Sequence, residues 1–560
     1  MTMQGGDPTD GPEGTESLDV TRSPNGGNGG NGGVNGGNGG GNGGYPSSPP
    51  WGDADPTDPA PEIQRRFGVR VLDPTTAIQF PGQQLRSTPY IANRLLVPYS
   101  LVSSADQFTR IGNVVGELGF RLTADERALG VAAYLAEQDV ADVPVPVLIS
   151  PRTDGLATPP NAWEIMQRLR AEDRQRFAGV SIDHLMVAIR PSSEAHPITE
   201  PAGRPGGGSS GYLMNGRTRM PVNVVFPQPP RQDVNDRRPV VAVLDTGCGH
   251  HDWLDDPNIV VRDLALDGVP IGRAPGEPDP DSLGDVVGPL DGGLDWIAGH
   301  GTFIAGVIRQ VCPDAMIIPI PVITAEGVVP EGDFIRALGE LLTLATRHVV
   351  SGGQEGQAVD VVSLSVGYYH ETPQQAAQDA VLRNVIEGFG RLGIPVVVAA
   401  GNESTTRPTV PAVFTPVRGT YGSPDVVPVV SVGALNPDGS VALFSNSGDW
   451  ITAWGPGGLI VSTLPPFRTG TEPLSEFPKQ LPGDSPSARP RADVDPEDYT
   501  GGFGVWSGTS FSAPWIAAKI AAQLLTASEC GDYPLGDSTR AAALVRGWDA
   551  VTQVTGIRSS

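Results

Sequence analysis

PVVAVLDTG, residues 239–247, sets the fold: an unbroken apolar run, Val240 to Leu244, closed by Asp245 and a Thr-Gly turn. A strand apolar at every position buries both faces, which an edge or half-exposed strand does not. Four further runs share this character: AMIIPIPVI (315–323), DVVSLSVG (360–367), IPVVVAAG (394–401) and VVPVVSVGA (426–434). Between them lie one-sided helices. Ile335, Leu338, Leu342 and Ala345 share one face within Asp333–His348, and Val381, Val385, Phe389 and Leu392 share another within Gln374–Leu392. Strand-helix-strand repeats of this kind predict an α/β fold with a doubly wound, mostly parallel sheet, in which ligands bind beyond the carboxyl ends of the strands.

Working outward, residues 198–237 are rich in Gly, Pro and charge (GRPGGGSSG, FPQPPRQDVNDRRP) and read as a linker, which puts the catalytic domain at 238–530 and a C-terminal extension at 531–560. Residues 61–197 read as a small α/β domain of two strand-helix-strand units. The first is RLLVPYSL (94–101), a helix over Ala105–Leu118 and a strand near Gly119–Leu122; the second is VPVLIS (144–149), a helix over Trp163–Arg170 and SIDHLMVAI (181–189). The pattern is compatible with a ferredoxin-like fold. Residues 1–60, with a Gly/Asn repeat over Asn25–Gly44, cannot bury enough apolar surface to order themselves and read as a disordered tail.

With 38 Lys+Arg against 63 Asp+Glu the formal net charge is -25, which excludes nucleic acid as a natural partner. That acidity serves solubility or the recognition of a basic substrate. No stretch is long and apolar enough to span a membrane, and Met1–Ser17 has no cationic start followed by an apolar run, so a cytoplasmic protein is expected. The cysteines, Cys248, Cys312 and Cys530, are too few and odd in number for a disulfide framework, although Cys248 and Cys312 could lie close.

The polar residues at strand ends carry the chemistry. Asp245 closes its strand; an acid there is ordinarily a turn former. Asp-Thr-Gly also occurs in aspartic proteases, but those need two such aspartates, and no second copy exists in the chain. His300, in GHGTFIAGV (299–307), is flanked by glycines at the start of an apolar helix. Ser510, in SGTSFSAPWIAAKIAA (507–522), opens another helix, where free backbone N–H groups favour developing negative charge. Asn402, in VVVAAGNES (396–404), can donate its amide to an oxyanion alongside the Ser510 N–H. Each alone also reads as a cap or a turn. His250 and His251 lack a companion ligand cluster, so no metal is expected there.

VAVLDTG, GHGTFIAG, VVAAGN and GTSFSAP together, in this order, resemble the subtilisin-like serine peptidase family (peptidase S8) over roughly Pro239 to Thr526. The resemblance implies a serine endopeptidase with a catalytic triad of Asp245, His300 and Ser510, and an oxyanion hole completed by Asn402. It also implies that Ser365, Val366 and Gly367, with Ala400 and Gly401, line the cleft and pair with a peptide substrate by strand addition. No cofactor is required; calcium is frequent in the family, but no oxygen-rich loop here is convincing. Phe303 stands where many relatives carry a second histidine, which should change packing near the triad. A thiol reagent at Cys248 is expected to inactivate indirectly.

The small domain resembles, in element order, the propeptides of such enzymes. Were it one, cleavage would fall within 206–238; a permanent regulatory or docking domain would leave the chain intact. The Pro- and acid-rich insertion 464–499 reads as a solvated loop, lid or docking surface for a protein partner. The rival to an enzyme is a pseudoprotease that binds peptides without cleaving them.

Overall fold

A computed structural model of the chain describes residues 59–152, 158–188, 219–222, 226–288, 290, 294–417, 422–467, 483, 485, 499 and 501–559. The tail to residue 58, the linker up to residue 218 and nearly all of the 464–499 insertion beyond Phe467 lie outside the described residues.

After a short helix over Pro61–Phe67 and a three-residue strand, Val69–Val71, the body continues with β1 (Pro89–Val97), α1 (Ala105–Glu117), β2 (Phe120–Ala124), α2 (Glu126–Glu137), β3 (Val145–Pro151), α3 (Ala162–Glu172) and β4 (Ser181–Ala188). The strands pair antiparallel in the order β4-β1-β3-β2, the arrangement of a ferredoxin-like sheet. Two local details depart from the sequence reading. Tyr99–Val102 is a short helix rather than strand, because Pro98 has no N–H to give the ladder. Helix α2 is additional; Asp125 caps it by accepting from Ala128 N, and Ala128, Val131, Ala132 and Leu135 form its buried stripe.

The rest of the chain supplies β5 (Met220–Pro221), β6 (Val240–Asp245), α4 (His300–Val311), β7 (Met316–Pro321), β8 (Val328–Pro330), α5 (Glu331–Val350), β9 (Val361–Leu364), β10 (Val366–Gly367), α6 (Ala380–Arg391), β11 (Val396–Ala399), β12 (Val429–Leu435), β13 (Ala453–Pro456), β14 (Ile460–Thr463), β15 (Phe503–Trp506), α7 (Thr509–Glu529) and α8 (Arg540–Thr555). Strands β7-β6-β9-β11-β12-β13 form one sheet, parallel throughout.

Strand alternation sorts the sheet's apolar side chains between two cores. Val241, Val243, Val361, Val397 and Val432 pack on one face with Phe303, Ile304 and Ile308 of α4 and with Phe511, Ile516 and Ile520 of α7. Ala242, Leu244, Val362, Leu364, Val396 and Val398 pack on the other with Phe334, Leu338 and Leu342 of α5 and with Val381, Val385 and Phe389 of α6. The continuous valine runs are thus the consequence of helices on both faces, each buried Val or Leu contributing about 1.5–3 kcal/mol.

The small domain shares the second core. Leu96, Val145, Met186 and Ala188 belong to it together with α5. Close approach is possible because α5 carries Gly332 and Gly339: a Cβ on the first would stand 2.9 Å from Asp183 Oδ2, and on the second 2.9 Å from Val131 Cγ1. Strand β4 then runs on into the larger body. Leu185, Met186 and Val187 pair antiparallel with Pro330, Val329 and Val328 of β8, while Val187 and Ala188 pair with Gly367 and Val366 of β10. Part of the stretch read as linker is also bound in: β5 adds to β15, and Arg237 grips Asp360 with both nitrogens at 2.6 and 2.7 Å.

Candidate active site

Because the sheet is parallel, the carboxyl ends of β6, β9 and β11 share one edge, where α4 and α7 begin. Asp245 is the last residue of β6, His300 the first of α4, Ser510 the second of α7, and Asn402 follows β11. All four are buried.

His300 Nδ1 lies 2.7 Å from Asp245 Oδ1, and the same oxygen accepts from Thr246 N at 2.8 Å. Thr246 Oγ1 in turn accepts from Gly301 N at 2.8 Å, so the strand end and the helix start are tied directly. The carboxylate therefore fixes which imidazole nitrogen carries the proton and leaves Nε2 to face the cleft. His300, Asn402, Gly508 and Ser510 line one small pocket, walled by Trp296, Trp506, Ser507 and Phe511. Ser510 Oγ is buried and has no hydrogen-bond partner among the described residues.

Asn402 is oriented from its oxygen side. Its Oδ1 accepts from Thr509 N and Thr509 Oγ1, both at 2.9 Å, which turns Nδ2 toward Gly508; a Cβ there would meet it at 3.3 Å. Ser365 Oγ donates to Ser510 O at 3.1 Å. Ala400 and Gly401 are engaged internally: Ala400 O accepts from Thr409 Oγ1 and Asn446 Nδ2, and Gly401 donates to Thr509 Oγ1 and accepts from Asn446 N. They shape the turn that aims Asn402. Val366 and Gly367 have β4 along their edge.

Phe303 packs against Phe511 at 4.4 Å and Trp506 at 5.7 Å, and both those rings also touch His300, at 5.5 and 5.4 Å. The residue that sequence reasoning missed is Asp281. Its Oδ1 accepts from Thr302 N at 2.9 Å and Thr302 Oγ1 at 2.5 Å, capping the first turn of α4 directly behind His300. Burial, then the nearby Asp279 charge, push its carboxyl up to about 6, against bonds from Thr246 and Thr302 that pull it down. An acid within a Pro-Asp-Pro-Asp-Ser turn gives no sequence signal of that role.

His250 meets Asp255 at 3.3 Å, and His251 sits between Gly502 O and Trp253 N. Among the described residues no three His, Cys, Asp or Glu side chains come together as a metal site. The three cysteines are unpaired, and no helix of the described residues is long and apolar enough to cross a membrane.

Residues 236–540 match the family model described as the subtilase family, peptidase S8. An intracellular serine protease of Paenibacillus polymyxa is 29% identical over 240 residues, 41% of this chain and 60% of the relative. The major intracellular serine protease of Bacillus subtilis is 25% identical over 244 residues, again 41% of this chain and 61% of the relative. The chain thus spans about three fifths of the length of these curated relatives. Among solved structures, fervidolysin from Fervidobacterium pennivorans, a keratinolytic enzyme related to subtilisin, aligns with TM-score 0.40 and 17% identity over 84% of this chain and 62% of its own.

Proposed function

The chain belongs to the subtilase family, and from that premise we propose that it is a serine endopeptidase acting on protein or peptide substrates through an acyl-enzyme on Ser510. Ser510 Oγ attacks the scissile carbonyl while His300 takes its proton and later delivers it to the leaving amine. Asp245 orients the ring and stabilises the imidazolium. Asn402 Nδ2 and the Ser510 N–H receive the oxyanion, the latter at a helix start where no carbonyl one turn back competes for it. Water then hydrolyses the ester. The observation that carries this reading is the 2.7 Å His300–Asp245 bond opening on the same pocket as Ser510 Oγ.

The reading includes self-restraint. Strand β4 lies along β10 and β8 where a peptide would add as a strand, so the small domain holds the cleft until it is displaced. The intracellular relatives and the three free thiols support a cytoplasmic setting.

A fluorophosphonate probe tests the assignment: the chain should be labelled, and Ser510→Ala should not. Labelling absent even after the small domain has been removed by limited proteolysis identifies a pseudoprotease instead.

A further inference from the structure

Beside the serine is a second built feature that the acyl-transfer chemistry does not use. Arg219, which leads into β5, is buried, with its guanidinium over the Trp506 ring at 4.9 Å. Its Nη1 donates to Trp296 O at 2.9 Å and its Nη2 to Asp295 O at 2.8 Å. The walls are held by bonds that do not involve Arg219. The Asp295 carboxylate accepts from Val286 N and Val287 N at 2.8 and 3.1 Å, Asp295 O also accepts from Ala298 N, and Trp296 Nε1 donates to Glu326 O at 3.3 Å. Trp296 and Trp506 both line the Ser510 pocket, and Trp506 meets His300 edge-on at 5.4 Å. A guanidinium bound here is one aromatic ring away from the imidazole.

We propose that Asp295, Trp296 and Trp506 form a guanidinium-recognition pocket beside the catalytic serine, filled in this chain by its own Arg219 and taken over by an arginine side chain of a protein substrate. Two carbonyl acceptors on adjacent residues match the planar fork of a guanidinium, and the ring supplies a face to stack on; an ammonium offers neither fork nor plane. A net charge of -25 favours basic partners over acidic ones. Because Arg219 is tethered, it competes at high effective concentration, and the pocket accepts a second arginine only when Arg219 is removed or displaced. The substrate half of this proposal rests on the serine-peptidase reading; the pocket half does not.

The test separates the two. In full-length chain carrying Ser510→Ala, with and without Arg219→Gln, N-acetyl-arginine amide is titrated against its citrulline and lysine counterparts, with tryptophan fluorescence as the readout. Gln keeps part of the stem and removes the charge; Arg219→Ala is the second variant should Gln not fold. The vacated pocket should bind the arginine compound about tenfold or more tighter than citrulline, tighter than lysine, and about tenfold or more tighter than the chain that retains Arg219. Trp506→Leu in the vacated background should abolish the preference. Equal binding of arginine and citrulline, or equal binding with Arg219 present, overturns the pocket. In the active chain carrying Arg219→Gln together with Ala188→Pro, which loosens β4 from the cleft, peptides with arginine near the scissile bond should show higher kcat/KM than glutamine peptides. No preference there, with pocket binding intact and Ser510 labelled by fluorophosphonate, overturns the substrate half alone.

Discussion

Ala188 lies opposite Val366, and Val187 opposite Gly367, in an antiparallel ladder that places the last turn of chain from the small domain on the strand edge next to Ser365 and Ser510. On the other flank the same strand is bonded to Val328–Pro330, so under the proposed function a peptide entering by strand addition has to replace it.

Ala188→Pro tests that obstruction. Ala188 N donates to Gly327 O at 2.8 Å, and proline removes the donor. The variant should be labelled at Ser510 by fluorophosphonate several-fold faster than the parent chain. Equal rates in two intact chains mean that β4 does not limit access.

The proposed catalytic roles predict an ordered series in kcat. Asp245→Asn preserves shape but gives Nδ1 of His300 the wrong partner, and should lower kcat by about four orders of magnitude. Asn402→Ala removes one oxyanion donor and should cost roughly 10²–10³, a magnitude taken from a subtilisin rather than from this chain. KM should change little in both. Steady-state kinetics on a quenched peptide, after removal of the small domain, checks the order, and a large KM effect with unchanged kcat at Asn402 contradicts its role.

How much of this is legible in the sequence follows from what each signal measures. The valine runs report burial on two faces, which is a property of single strands, so the amino-acid pattern alone locates β6, β7, β9, β11 and β12. The residues at their carboxyl ends follow from topology. The split of SLSVG cannot be read: Leu364 stays in the parallel sheet while Val366 leaves it to pair with β4, a partner far away in the chain. Nor can Asp281 be read, because its capping of Thr302 depends on a loop whose path no local pattern encodes. Cys248 shows the same limit. Its place three residues beyond Asp245 suggests that modifying it would disturb the triad, yet burial pushes its thiol up to about 12 despite Arg262 nearby, so a thiol reagent should modify the exposed Cys530 first and leave fluorophosphonate labelling intact.

Asp281 predicts a pH-dependent stability. An acid whose folded pKa is raised holds its proton more tightly folded than unfolded, so between about 3.8 and about 6 stability falls as pH rises, and the full penalty applies above that window. Asp281→Asn keeps an acceptor for Thr302 and removes the buried charge. In the Ser510→Ala background it should gain on the order of 1–3 kcal/mol at pH 8, and the gain should vanish near pH 4. Urea unfolding at both pH values measures it. A loss of stability at pH 8 would show that the positive end of α4 outweighs the cost of burying the charge.

His184 predicts the opposite slope. It is fully buried on β4, with Nδ1 2.7 Å from Glu331 Oε2 and Nε2 3.0 Å from Glu371 Oε2, and it stacks on Tyr368 at 4.1 Å. The other groups facing it are His370, at 5.7 Å between ring centroids, and Asp379, which pairs with His370 and accepts from Tyr368. Burial opposes the charged ring, but Glu331 and Glu371 overcome it and raise its pKa to about 10. A base raised in this way stabilises fully below its free value of 6.5 and loses that contribution as pH climbs through about 10. His184→Ala leaves two buried carboxylates facing each other and should cost about 3–5 kcal/mol at pH 6. Adding Glu331→Gln should recover part of the loss, because it removes the carboxylate that paired with His184 Nδ1, while Glu371 keeps His370 at 3.4 Å. The cost should shrink between pH 8 and pH 10.5, as the parent chain loses the charge that the variant already lacks. Hydrogen exchange of the β4 amides follows the junction specifically, since this histidine joins the small domain to α5 and to the segment after β10. A penalty that stays constant to pH 10.5 would mean that the ring is neutral and acts only by packing, and the junction would then be indifferent to alkali.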